Sequence, residues 1–168
     1  MRVFEESQKF TQTWILVILL ISTILPIMAI VKEWNLKVDK SIQANLGAVL
    51  GIGVVILVIS LIFLFKLKTR IDETGITYQF FPIHIKPQQI PWNDIEKIYV
   101  RKYNPILEYG GWGFKGGIFF KKRGTAFNVS GNIGIQIELK SGKKILFGTQ
   151  LKEKAEQALR YYKNQHND

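Results

Sequence analysis

LGAVLGIGVVILVISLIFLF, residues 46–65, decides how the rest of the chain is read. These twenty residues carry no charge and one hydroxyl, Ser60. As a helix rising about 1.5 Å per residue they span roughly 30 Å, the thickness of a bilayer's hydrocarbon core. Before them lies a second apolar run, Trp14 to Val31, eighteen residues without charge. Trp14 opens that run and Trp34 follows it, as aromatic residues do at membrane interfaces. Pro26 inside it is expected to kink a membrane helix rather than end it. Neither run has a polar face, which argues against two buried helices of a water-soluble core. A cleaved signal peptide is the rival reading of the first run, but no small-x-small cleavage site follows in PIMAIVKEW.

The runs predict an antiparallel hairpin over 14–65, with helices at 14–31 and 46–65 and a connection at 32–45. Residues 1–13 read as a polar lead, 66–164 as a folded domain and 165–168 as a polar tail. The connection holds Lys32, Lys37 and Lys40, whereas Arg2, Lys9, Lys66, Lys68 and Arg70 flank the other ends. That imbalance predicts both termini in the cytoplasm. Gly47 and Gly51 form a GxxxG step, which fits three readings: homodimerisation, packing on the first helix, or no specific role.

Charge divides as sharply as hydropathy. Of the formal net charge of +10, residues 66–168 carry +9. Such an excess attracts polyanions, and a domain tethered beside a bilayer meets anionic headgroups first. Nucleic acid fits poorly for the same reason. The chain has no cysteine, which excludes disulfides, thiolate metal sites, a catalytic thiol and a palmitoyl anchor.

Beyond residue 65 the period changes to two. Leu67, Thr69 and Ile71 alternate with Lys66, Lys68 and Arg70, and Asp72-Glu73-Thr74-Gly75 is a turn before Ile76 to Phe81. Pro82, Pro87 and Pro91 punctuate a loop or edge segment. A strand is expected within 95–103, with Ile98 and Val100 inward. Residues 109–117, YGGWGFKGG, read either as a glycine-bent strand or as a backbone cradle for an anion or peptide. Lys121-Lys122-Arg123-Gly124 is a basic hairpin tip. Ile133, Ile135, Ile137 and Leu139 give the clearest half-buried strand, turning at Ser141-Gly142 into a partner over 143–149. Leu151, Ala155, Ala158, Leu159 and Tyr162 form one stripe of a terminal helix, with Thr149 as its cap.

The ending NVSGNIGIQIELKSGKKILFGTQLKEKAEQAL resembles the close of bacterial pleckstrin-homology-like (PH-like) domains, found in small membrane proteins. IDETGITYQF and IPWNDIEKIYVRKY are similar to that family's opening strands. The resemblance covers about residues 66–164. It implies bent antiparallel sheets, a partial barrel, capped by a C-terminal helix. It does not imply one ligand, since the fold serves lipid, peptide and self-association roles. The acidic loop 72–75 departs from phosphoinositide-binding members, which place Lys and Arg there. Tyr161 and Tyr162 stand where the eukaryotic helix usually has tryptophan.

No catalytic constellation emerges. His84 lies in IHIKP and His166 in the tail, and Asp94 with Glu96 reads as a cap and a solvated face. No cofactor, metal ligand set or catalytic residue is expected. The sequence thus points to a binding or scaffold module at the bacterial inner membrane, contacting a protein partner or a second copy of itself. The alternative is sensing of anionic lipid by Lys121, Lys122, Arg123, Lys143 and Lys144, which could equally be solvated turn tips.

Overall fold

The computed structural model describes residues 3–10, 12–36, 46–116 and 124–166. The chain divides into two compact units: 10–64, which is helical, and 1–9 together with 65–168, which is mainly β.

The helical unit contains α1 (Thr13–Leu36) and α2 (Leu46–Leu64). α1 runs five residues past the expected end at Val31, because Lys32 and Glu33 are good helix formers and extend it. Among the described residues one helix, Leu16–Leu36, is long and apolar enough to cross a membrane, and Val49–Leu64 is a shorter apolar helix. Within this unit Leu25, Met28, Leu50 and Leu57 are all more than half exposed. The hydroxyls of Ser22, Thr23 and Ser60 bond back to carbonyls of the preceding turn, so the helices satisfy their own polar groups.

The β unit has nine strands among the described residues. β1 (Phe4–Lys9), β2 (Lys66–Asp72), β3 (Gly75–Phe81) and β4 (Gln88–Pro91) form one antiparallel sheet in that order. β5 (Ile95–Lys102), β6 (Gly113–Lys115), β7 (Thr125–Asn128), β8 (Ile133–Leu139) and β9 (Lys144–Gly148) form the other, in the order β5-β8-β9-β7-β6. A short helix, α3 (Pro105–Tyr109), follows β5, and α4 (Lys152–His166) ends the domain.

Where the sequence predicts two crossing helices, one among the described residues is long and apolar enough to cross, and in the β unit three further features differ from the sequence expectation. The stretch read as a polar lead contains β1, paired along its whole length with β2 from Phe4↔Ile71 to Lys9↔Lys66. Its inward residues are Phe4, Glu6 and Gln8, so two of three buried positions are polar and the period of two carries no hydropathy signal. β7 pairs with β9 in parallel, where an antiparallel arrangement was expected. The sheets are separate four- and five-stranded sheets, with no closed barrel.

The core lies between the sheets. Tyr78 and Phe80 of β3 meet Phe127 of β7, and Tyr78 also meets Phe147 of β9 at 4.6 Å between ring centroids. Leu67, Ile71, Ile76, Ile135 and Ile137 are fully buried. Leu146, on the opposite face of β9 from Phe147, joins Tyr103, Tyr109 and Ala126 in a second cluster. α4 buries four of the five residues of the expected stripe, Ala155, Ala158, Leu159 and Tyr162, while Leu151 precedes the helix and is half-buried; α4 lies against β5, β2, β1 and β8. The Thr149 hydroxyl accepts the Leu151 amide at 3.1 Å, but α4 begins at Lys152, so this bond closes a turn just ahead of the helix and Thr149 is not the cap that the sequence reading expects.

Candidate interaction surfaces

β5 is an edge strand, and α4 lies beside it. A bulge between Ile95 and Lys97 breaks its register with β8 and leaves Glu96 outside the ladder. Between strand and helix opens a groove of about 540 Å³, lined by Trp92, Glu96, Lys97, Tyr99, Lys140 and Lys163 among others. That volume falls in the range of small-ligand and peptide side-chain sites. Its floor is held from within. The Trp92 indole donates to the Asp72 carbonyl at 2.9 Å and stacks on Tyr162, while the Lys140 amide donates to the Asp94 carbonyl at 2.9 Å. The Tyr99 hydroxyl donates to Glu138 at 2.9 Å; burial, then that carboxylate, raises its pKa. Three lysines against one glutamate give the groove a positive rim suited to an acidic, extended segment. The sequence reading did not single out this groove, because Trp92, Lys140 and Lys163 are dispersed and only the packing of α4 on β5 assembles them.

Of the expected basic contacts, Lys121, Lys122 and Arg123 lie outside the described residues. Lys143 and Lys144 are exposed, and Lys144 pairs with Glu138 at 3.7 Å across the β8–β9 ladder. Gly124, which directly follows Arg123, packs its backbone on Lys144: a Cβ there would stand 2.1 Å from the Lys144 carbonyl oxygen. Gly47 and Gly51 have no neighbouring atom within 4 Å of where a Cβ would stand, so neither marks a close approach of α1 to α2. Of the histidines, His84 is half-buried and locally bonded, its Nδ1 accepting the Phe80 amide at 3.4 Å; His166 ends α4.

Three glycine amides of the segment 109–117, of which Gly117 lies outside the described residues, are spent internally. Gly110, in the left-handed region, ends α3 by donating to the Ile106 carbonyl; Gly111 donates to the Pro105 carbonyl; Gly113 donates to the Asn128 side chain. β6 then continues as a short strand. Those three amides are therefore committed to the fold, as the glycine-bent strand reading requires. Beside them, Arg101 donates to Glu108 at 2.7 Å and to Gln136 at 3.1 Å, fixing α3 to β5 and β8. The Tyr103 hydroxyl accepts from Asn128, and its burial pushes its pKa up to about 12.

Among the described residues no group of three or more His, Asp or Glu side chains is placed to hold a metal ion. Compared with protein-family models, with curated proteins and with solved structures, the chain matches none.

Proposed function

We propose that this chain is a membrane-anchored binding module. α1 and α2 cross the bilayer as a hairpin, and the β domain offers its β5–α4 groove to a protein partner or a second copy at the inner membrane. The observation that carries this reading is the pairing of β1 with β2. Lys9 and Lys66 are register partners, and the whole helical unit is threaded between them. A chain that leaves a sheet at Lys9 and rejoins it at Lys66 crosses a membrane an even number of times or not at all. α1 is long and apolar enough to cross. The return then falls to α2, whose nineteen residues reach about 28 Å as a helix. The same pairing argues against a cleaved leader, since cleavage within or after α1 would remove a strand built into the domain. The surplus of lysine and arginine at the domain end supports a cytoplasmic domain.

The PH-like reading of residues 66–164 is supported by two packed sheets ending in a helix. The parallel β7–β9 pairing and the strand contributed from before the helices depart from it. An edge strand beside a helix is a common acceptor for an extended peptide, which adds a strand through main-chain bonds and fills pockets with alternate side chains.

The absence of cysteine makes the topology directly testable. Single cysteines at Ser7, Lys143 and Ser41 are labelled with an impermeant maleimide in vesicles of known orientation. Ser7→Cys and Lys143→Cys should react from one side and Ser41→Cys from the other. Reaction of the first two from opposite sides, or of all three from the same side, overturns the hairpin. A second reading, contact of the basic tips with anionic headgroups, is favoured by the packing of Gly124, the residue after one basic stretch, on Lys144, the end of the other. It predicts that Lys143→Ala weakens salt-sensitive binding to anionic vesicles more than Lys144→Ala does, because Lys144 already faces Glu138.

A further inference from the structure

We infer that the end of β3 and the β3–β4 loop, residues 81–87, are a second membrane contact that seats in the bilayer interface. This inference rests on the membrane-anchor reading. Lys9, Lys66 and Phe81 are consecutive register partners across β1, β2 and β3, so they mark one end of the four-stranded sheet. That same end is where the chain leaves for the helical unit and returns from it. Three residues separate Lys9 from Thr13, and only Phe65 separates Leu64 from Lys66. The loop leaves β3 at Phe81, at this end of the sheet.

The loop turns apolar side chains outward. Phe81 is 39% exposed, Ile83 45% and Ile85 81%, in a chain whose other β-domain isoleucines are mostly buried. Single exposed apolar residues need no explanation, but three at alternate positions of one loop form a patch. The backbone that carries them is held. The Gln79 amide donates to the carbonyls of His84 at 3.3 Å and Ile85 at 2.8 Å, and the His84 amide donates to the Phe80 carbonyl at 2.8 Å. The His84 ring packs inward on Tyr78 and Phe127, at 5.4 and 5.2 Å. With His84 turned in, its neighbours Ile83 and Ile85 project out. The loop therefore presents its isoleucines from a fixed base instead of collapsing them onto the core.

The charges around the loop match the occupant. Lys86 is exposed within it, and Lys9, exposed, and Lys66, half-exposed, stand at the same sheet end. Apolar side chains ringed by cations suit the boundary between acyl chains and anionic headgroups, where aromatic and aliphatic groups enter and lysines remain with the phosphates. A water-soluble protein partner has no reason to lie within a few residues of two apolar helices; a bilayer does.

The test uses the full chain in liposomes of phosphatidylethanolamine and phosphatidylglycerol, with nitroxide labels on single cysteines. Ile83→Cys and Ile85→Cys report the loop, Lys143→Cys an exposed turn and Leu25→Cys the middle of α1. The ratio of oxygen to nickel-chelate collision rates gives depth. The inference expects labels at 83 and 85 to show a ratio several-fold above that at 143, intermediate between 143 and 25. Labels at 83 and 85 that match 143, with 25 still in lipid, overturn the loop contact and leave the anchor standing. A label at 25 in water overturns the anchor itself, and the loop contact with it.

Discussion

Glu6 carries a carboxylate into the core from a strand that consists almost entirely of polar residues. It is tolerated there because its oxygens are spent: one accepts the Thr149 hydroxyl at 2.6 Å and the other the Gln150 amide at 2.8 Å. Both donors lie in the short connection just before α4, which begins at Lys152. Next to it, Gln8 donates to the Gly148 carbonyl at 2.8 Å. Glu6→Ala should lower the domain's unfolding free energy by about 3 kcal/mol, the scale of two hydrogen bonds to a buried charge, and Glu6→Gln by less. Denaturant unfolding of the detergent-solubilised protein measures both, and equal, negligible losses would show that the contact does not hold β1 to the connection before α4. Asp72 gives a pH-dependent counterpart. Burial pushes its carboxyl up, but bonds from the Thr74 hydroxyl and amide and from Arg70 outweigh that, and the net shift is below the ordinary value of 3.8. A folded-state value below the unfolded one means stability present above 3.8 and lost as the pH falls through the folded value. The stability difference between the native chain and Asp72→Asn should therefore shrink on acidification below 3.8, and a constant difference would count against it. Asp72 could be recognised in the sequence as a turn residue, but Glu6 could not, since nothing local distinguishes it from Glu5.

At the scale of elements, the β2–β3 hairpin and the glycine-rich segment separate two uses of glycine. Gly75 sits at φ +138°, and a Cβ there would meet the Ile90 carbonyl oxygen at 2.2 Å and the Pro91 Cα at 2.9 Å. Those are backbone atoms of β4, which can only move away together. Gly111 has φ +118° but open space around it. Gly75→Ala should therefore cost about 3 kcal/mol or more by prising β4 from β3, and Gly111→Ala only the backbone strain, about 1–2 kcal/mol. Thermal melts of the two variants rank them, and a reversed order would mean β4 is not held as described. β2, β3, β8 and the terminal helix were legible because their apolar residues keep strict periods, whereas β4, bracketed by prolines, reads only as a loop or edge segment. α3 was not legible, though its signals are present: Asn104 caps Ile106 and Leu107, Pro105 opens the helix and Gly110 closes it. Five residues are too short for a period of 3.6 to show. β1 was missed for the opposite reason, a correct period filled with glutamate and glutamine.

At the scale of the whole molecule, the helical unit is an insertion into a β-hairpin, and this determines how the two units can be separated. β1 and β2 pair antiparallel down to Lys9↔Lys66, so the helical unit occupies the place of a hairpin turn. Two strands in this register are joined most directly by a two-residue turn, for which Asn-Gly is the preferred sequence. Replacing residues 10–65 with Asn-Gly should give a domain that is monodisperse without detergent and keeps the β content of the intact protein. It should unfold cooperatively, because every strand keeps its neighbours, although contacts such as that of the Phe65 ring on Phe80 are lost. Deleting α2 alone, residues 46–64, gives the opposite expectation. A single crossing would put β1 and β2 on opposite faces of the bilayer, so the four-stranded sheet would lose its edge strand and the connection before α4 its bonds to Glu6. Circular dichroism and limited proteolysis compare the two deletions. A cooperative fold from the turn replacement together with protease sensitivity in the single-helix deletion supports the even-crossing architecture. If both variants resist protease equally, β1 is dispensable to the domain and the pairing at Lys9 and Lys66 no longer constrains the membrane path.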